Sequence, residues 1–318
     1  MPDSDAAISV AGLHKAFGSK VVLDGIDLHV PAGSIFSLLG SNGAGKTTTV
    51  QILSTLVPFD SGTINIAGHD LARDPNGVRR SIGVTGQFSA VDNMLTGEEN
   101  LILMADLNRL SKRAGRQRAQ QLLEQFDLVD AAKKLPAFYS GGMRRRLDLA
   151  MGLVGRPQII FLDEPTTGLD PRSRRGMWET IRRLVTDDGV TVFLTTQYLE
   201  EADELADRIA VLDQGKLVAE GTADELKQLV AGGHIRLQFA DQYRLDEAAR
   251  CLPQGARDQE ALALKVPTDG SVRALKSVLD RLEEQAIEVA SVTVHTPDLD
   301  DVFLTLTSAA PAQKETLR

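Results

Sequence analysis

The chain has 318 residues, 42% hydrophobic and 25% charged, enough for one large α/β domain and a smaller second one. A formal net charge of -9 argues against nucleic acid as a partner, and the single cysteine, Cys251, excludes an internal disulfide framework or a multi-cysteine metal site and fits a reducing compartment. The opening MPDSDAAISV has no basic stretch ahead of an apolar core, and no apolar run approaches the roughly 18 residues that span a bilayer, so any membrane crossing is expected of another chain.

In chain order, apolar runs bounded by turn residues predict buried strands from Ile35 to Leu39, Ile82 to Thr85, Ile159 to Leu162 and Thr191 to Leu194. Helical stretches separate them, which predicts a mainly parallel sheet covered on both faces, with ligands gathering at the carboxyl ends of its strands. Just past those ends stand GSNGAGKTT, Gln87, Asp163 with Glu164, and Gln197. A polar helical lobe, about 88–155, falls between the second and third strands, and its basic run NRLSKRAGRQRAQ reads as a solvated helix face. The first domain is expected to occupy 1–231. Residues 232–308 predict a small α/β accessory domain, with strands in HIRLQF, ALALKV and EVASVTVH and a last helix in DLDDVFLTLT; 309–318 reads as a tail.

Gly40, Ser41, Asn42, Gly43, Ala44, Gly45, Lys46 and Thr47 fit GxxxxGK[ST] between an apolar strand and a helix-compatible run that continues through Thr48. Glycines let the backbone curl its N–H groups around phosphate oxygens, a helix N-terminus adds a favourable dipole, and Lys46 supplies a point charge. Thr47 offers a hydroxyl to Mg²⁺. The pattern resembles the phosphate loop of P-loop NTPases and predicts that fold here.

The strand QIIFLDEP ends in Asp163 and Glu164. Paired with the phosphate loop, Asp163 is expected to hold Mg²⁺ and Glu164 to act as general base on the attacking water. Ser140, Gly141, Gly142 and Met143 precede RRRLDLA, where Ser140 suits a helix N-cap and the two glycines leave backbone N–H groups open. Those residues alone fit an ordinary capped helix and an anion site equally.

Phosphate loop, Gln87, SGGM before RRRLDLA, LDE and Gly168-Leu169-Asp170 follow one another in the order and spacing of an ATP-binding-cassette ATPase. The variants GVTGQ, YSGGMRRRLD, DEPTTGLDPRSR and LTTQYLEEAD resemble the daunorubicin/doxorubicin-resistance type of drug-export ATPase, as does the C-terminal LDDVFLTLT. The resemblance implies ATP with Mg²⁺ held between two copies of the chain facing head to tail, each site completed by the partner's Ser140, Gly141, Gly142 and Met143. It implies Phe17 stacking on adenine, Gln87 near Mg²⁺ and the attacking water, and Asp170 at the dimer interface. It also implies a separate membrane-spanning permease, a peripheral place on the cytoplasmic face of the membrane, and efflux of a hydrophobic drug or lipid. The alternatives are a non-hydrolysing regulatory subunit and a soluble cassette protein not tied to transport.

Most such ATPases carry histidine where Gln197 stands. His14, His29, His69, His234 and His295 all lie elsewhere. A glutamine amide both donates and accepts hydrogen bonds, as a neutral imidazole does, without titrating near neutral pH. Gln197 is therefore expected to contact the γ-phosphate in the histidine's place.

Overall fold

Two long strands open the chain, β1 (Ala6–Phe17) and β2 (Lys20–Pro31), paired antiparallel. They belong to a computed structural model that describes residues 6–87, 89–229, 233–268 and 271–308. Along β2 the side chains of Ile26, Leu28 and Val30 point inward while their neighbours face solvent, the period-2 pattern of a half-buried strand. The fully buried β3 (Ile35–Gly40) follows, then α1 (Lys46–Leu53). β4 (Ser61–Ile66) returns to β1 and pairs with the short β5 (His69–Asp70), which completes an antiparallel sheet in the order β2-β1-β4-β5.

The next helix, α2 (Pro75–Ser81), has Pro75 in its first turn and is capped by Asp74, which accepts the Gly77 N–H; β6 (Ile82–Thr85) follows. Three helices then form the lobe: α3 (Gly97–Leu107), α4 (Lys112–Gln125) and α5 (Gly141–Gly152). Thr96 and Glu99 make a reciprocal capping box on α3, and single serines, Ser111 and Ser140, cap the other two. β7 (Ile159–Asp163), α6 (Pro171–Thr186), β8 (Thr191–Thr196), α7 (Leu199–Leu205), β9 (Arg208–Asp213) and β10 (Lys216–Gly221) complete this part of the chain, and α8 (Ala223–Gln228) follows across the division between Ala223 and Asp224.

The second sheet runs β10-β9-β3-β8-β7-β6, parallel except for the β9–β10 hairpin. The expected mainly parallel α/β sheet is the sheet observed, and it contains all four predicted strands. Phe36, Phe193 and Phe161 stand in register on three adjacent strands, with ring centroids 5.5 and 5.6 Å apart. They join Val50, Ile52 and Leu53 of α1 in one core, each aromatic pair adding about 1 kcal/mol beyond its burial. On the opposite face Ile160, Leu162 and Leu194 pack with Leu147 of α5 and with Trp178 and Ile181 of α6. Both faces being covered, the strands' carboxyl ends are where the chain emerges, and the phosphate loop, Gln87, Glu164 and Gln197 all follow such an end.

The chain divides into two units, Met1–Ala223 and Asp224–Arg318. Within the second, β11 (His234–Gln238), α9 (Gln242–Cys251), β12 (Ala256–Asp258), β13 (Ala263–Pro267), α10 (Val272–Glu284), β14 (Ser291–His295) and α11 (Leu299–Ser308) follow in order. Its antiparallel sheet runs β12-β13-β11-β14, with Ile235, Leu237, Leu264 and Val266 packed against Leu245 of α9 and Leu282 of α10. The expected tail, 309–318, lies outside the described residues.

Candidate nucleotide site

The loop from β3 into α1 is shaped by glycines at positions where a side chain would not fit. A Cβ on Gly40 would lie 2.4 Å from the Leu212 carbonyl oxygen, and Gly45, the N-cap of α1, has φ +114°, where side chains are strained. Lys46 folds back over this loop, donating from Nζ to the carbonyls of Gly40 at 2.9 Å and Ser41 at 3.1 Å; the Ala44 N–H also bonds to Ser41, at 3.2 Å. The same ammonium lies 3.6 Å from Glu164 Oε1, both side chains being buried. Burial pulls the Lys46 pKa below the ordinary lysine range, against the opposing pull of Glu164 and Asp163.

A cavity of about 790 Å³ opens beside the loop. The loop and helix start contribute Asn42, Gly43, Gly45, Lys46, Thr47 and Thr48, while Phe17, Gln87 and Glu164 reach it from three other segments. Phe17 offers a half-exposed ring, with Lys15 Nζ 5.1 Å from its centroid; Lys15 is itself held by Asp60 at 2.9 Å. Gln214 and Gly215, in the turn between β9 and β10, also line the cavity. That turn is bolted to the loop by the Gly215 N–H, which donates to the Ala44 carbonyl at 3.0 Å. The β3–β9 pairing is what brings this turn to the phosphate loop.

The two acids at the end of β7 are held by β8. Thr195 Oγ1 donates to Asp163 Oδ1 at 2.6 Å and accepts the Glu164 N–H at 3.1 Å. Asp163 Oδ1 also accepts from Thr47 Oγ1 at 3.3 Å, so a hydroxyl and a carboxylate, both hard oxygen donors, face one another between phosphate loop and strand end. Glu164 sits at φ +49°, an uncommon conformation for a residue with a side chain, and Thr167 Oγ1 donates to its Oε2 at 3.3 Å. Thr195 was not singled out by the sequence, where it is one more β-branched strand residue.

The group Ser140 to Met143 forms the N-terminus of α5, Ser140 Oγ accepting the Met143 N–H at 3.2 Å. None of the four lines the cavity of its own chain. A Cβ on Gly142 would meet Ser173 Oγ at 2.9 Å, and Ser173 donates to Asp170 Oδ2 at 2.6 Å, so the SGGM helix start and Asp170, the N-cap of α6, are immediate neighbours. Gln197 follows β8, half-buried, outside the residues that line the cavity; among the described residues none hydrogen-bonds its amide.

This arrangement fits a nucleoside triphosphate with a divalent cation: a buried cation at a glycine loop, a Thr47–Asp163 pair of hard oxygens, a carboxylate at the cavity wall and an aromatic face at its rim, in a cavity of ligand-binding size. Loop, sheet and acids define a P-loop nucleotide-binding protein. The family model described as ABC transporter matches residues 23–167. A daunorubicin resistance ATP-binding protein of Streptomyces coeruleorubidus is 48% identical over 314 residues, 98% of this chain and 99% of the relative. The daunorubicin/doxorubicin resistance ATP-binding protein of Streptomyces peucetius is 47% identical over 95% of this chain and 92% of its own length. Among solved structures, a dimeric post-hydrolysis ATP-binding cassette bound to ADP and Pi superposes with a TM-score of 0.61 at 27% identity, covering 68% of this chain and 98% of that one. The chain belongs to the ABC transporter family, among the ATP-binding proteins of the daunorubicin/doxorubicin-resistance type.

Proposed function

We propose that this chain is the ATP-hydrolysing subunit of an exporter that moves a hydrophobic drug or lipid through a separate membrane-spanning permease. The observation that carries the reading is the placement of Glu164: its carboxylate lines the nucleotide cavity 3.6 Å from Lys46 Nζ, beside the Asp163–Thr47 pair. No helix among the described residues is long and apolar enough to cross a membrane; the reading puts the chain in a peripheral place on the cytoplasmic face, beside its permease.

In this reading Phe17 stacks on the adenine, the phosphate loop and Lys46 bind the β- and γ-phosphates, and Thr47, Asp163 and Gln87 hold Mg²⁺. The metal, when bound, neutralises charge building on the phosphate oxygens. Glu164 orients the attacking water and takes its proton. Ser140, Gly141, Gly142 and Met143 lie outside their own cavity, which supports their service at the site of a second copy, with Asp170 beside them at the dimer interface. Gln197 supplies a neutral amide to the γ-phosphate once that dimer closes.

Copurification of the chain with a membrane protein, followed by ATP hydrolysis in the reconstituted complex, tests the reading. Stimulation by an anthracycline or another hydrophobic compound is the expected result. Hydrolysis unchanged by every hydrophobic compound and by the membrane partner would point to a soluble cassette protein instead.

A further inference from the structure

One arginine in the helical lobe spends four of its five N–H donors on the segments around Glu164 and Gln87 and the fifth on a carboxylate of its own helix. From α5, Arg145 donates through Nε to the Pro165 carbonyl at 2.8 Å and through Nη2 to the carbonyls of Asp163 at 3.2 Å and Glu164 at 3.3 Å. Through Nη1 it donates to the Gly86 carbonyl at 3.0 Å and to Asp148 Oδ2 at 3.1 Å. Asp148, one turn further along α5, accepts the Ala90 N–H on its other oxygen at 3.0 Å. The pair thus grips three successive carbonyls around Glu164 and also brackets Gln87, through Gly86 just before it and through Ala90 three residues after it.

Neither side chain is a surface ornament. Asp148 is 3% exposed and the Arg145 side chain 12%. Burial lowers the Arg145 pKa and raises that of Asp148, each shift opposed by the other's charge. A buried ion pair costs desolvation free energy that hydrophobic packing would avoid, so its placement on two catalytic backbone segments calls for a role other than stability. The guanidinium's planar fork is also the one cationic side chain able to serve five fixed acceptors at once. Glu164, at φ +49°, is a residue whose backbone needs such over-determination.

We infer that Arg145 and Asp148 are positioning residues that hold Glu164 and the Gln87 segment in one hydrolytic geometry and tie both to α5, the helix that carries Ser140 at its start. The inference rests on the ATPase reading above. It makes α5 a rigid link between the two acids of one site and the SGGM segment offered to the other.

The test is the steady-state kinetics of MgATP hydrolysis by the full chain and its Arg145→Lys, Arg145→Met, Asp148→Asn and Glu164→Gln variants. Binding of a fluorescent ATP analogue and thermal unfolding are measured in parallel. Arg145→Lys keeps the charge and loses the fork, so kcat should fall at least tenfold while the dissociation constant for the analogue stays within about twofold. Asp148→Asn should give a smaller fall in kcat with the same unchanged binding. A folded Arg145→Lys protein with wild-type kcat overturns the inference, as does an equal loss of kcat and binding, which a merely structural role would produce. Should both Arg145 variants fail to fold, wild-type kcat in Asp148→Asn overturns it alone. Wild type as inactive as Glu164→Gln overturns the ATPase reading, and this inference with it; wild type active with Arg145→Lys its equal sinks only the inference.

Discussion

Thr195 and Asp163 face each other across adjacent parallel strands, the threonine hydroxyl 2.6 Å from the carboxylate, with no exposed surface on the threonine. The contact aims Asp163 at Thr47 and, through the Glu164 N–H that the same hydroxyl accepts, sets where the second acid begins. Replacing Thr195 by valine keeps the shape and removes both bonds. Stability should fall by about 1–3 kcal/mol, the range for buried polar groups left unpaired, and hydrolysis should fall with it. Thr195→Ser should stay near wild type in a urea titration; equal losses in the two variants would show that the methyl group, not the hydroxyl, matters.

Lys46 should make nucleotide affinity pH-dependent. Its folded-state pKa lies below the ordinary lysine value because burial disfavours the charged form. Between the folded and unfolded values the unfolded chain binds the extra proton, so this residue's contribution to the stability of the nucleotide-free protein rises with pH across that window. Phosphate favours the ammonium, so the sign for ATP is opposite: affinity should drop as pH climbs through the lowered Lys46 pKa, with proton uptake on binding. Calorimetric titration in two buffers of different ionisation enthalpy reads that uptake, which Lys46→Met should abolish.

Gln197 should behave as a γ-phosphate contact. Gln197→Ala is expected to slow hydrolysis about tenfold, the equivalent of one lost hydrogen bond, with ATP binding less affected. Gln197→His should keep substantial activity and acquire a new acid limb near pH ~6.5, since only histidine titrates there. An unchanged rate in the alanine variant would contradict that contact.

Glu201 anchors the segment between the acids and α6. Its Oε1 accepts from Thr166 Oγ1 at 2.7 Å and Trp178 Nε1 at 3.0 Å, in a fully buried position. Alanine there leaves two buried donors unpaired and opens a cavity, so unfolding free energy should drop by about 2–5 kcal/mol; glutamine, which still accepts both bonds, should cost less than half of that. Parity between the two variants in chemical denaturation would contradict the account.

The parallel sheet was legible because its strands are continuous apolar runs, and the phosphate loop and paired acids because their spacing encodes local chemistry. The β2-β1-β4-β5 sheet was not read: its strands alternate and bend at register shifts such as that between Val10 and Leu13, which breaks the period a strand search depends on. Thr195, Gly215 and Arg145 were missed for a common reason. Each acts through a partner distant in sequence, Asp163, the phosphate loop and the carbonyls around Glu164, and no pattern within a single segment carries that pairing. The neighbourhood of Gly142 and Asp170 through Ser173 likewise exists only once α5 packs on α6.

The most direct test of the central claim is single-turnover MgATP hydrolysis by the full chain with its membrane partner, comparing wild type with Glu164→Gln. The account predicts normal ATP binding in both and a rate at least 10²-fold lower in the variant, the low end for loss of a general base. Equal single-turnover rates would contradict it, removing Glu164 from the chemistry.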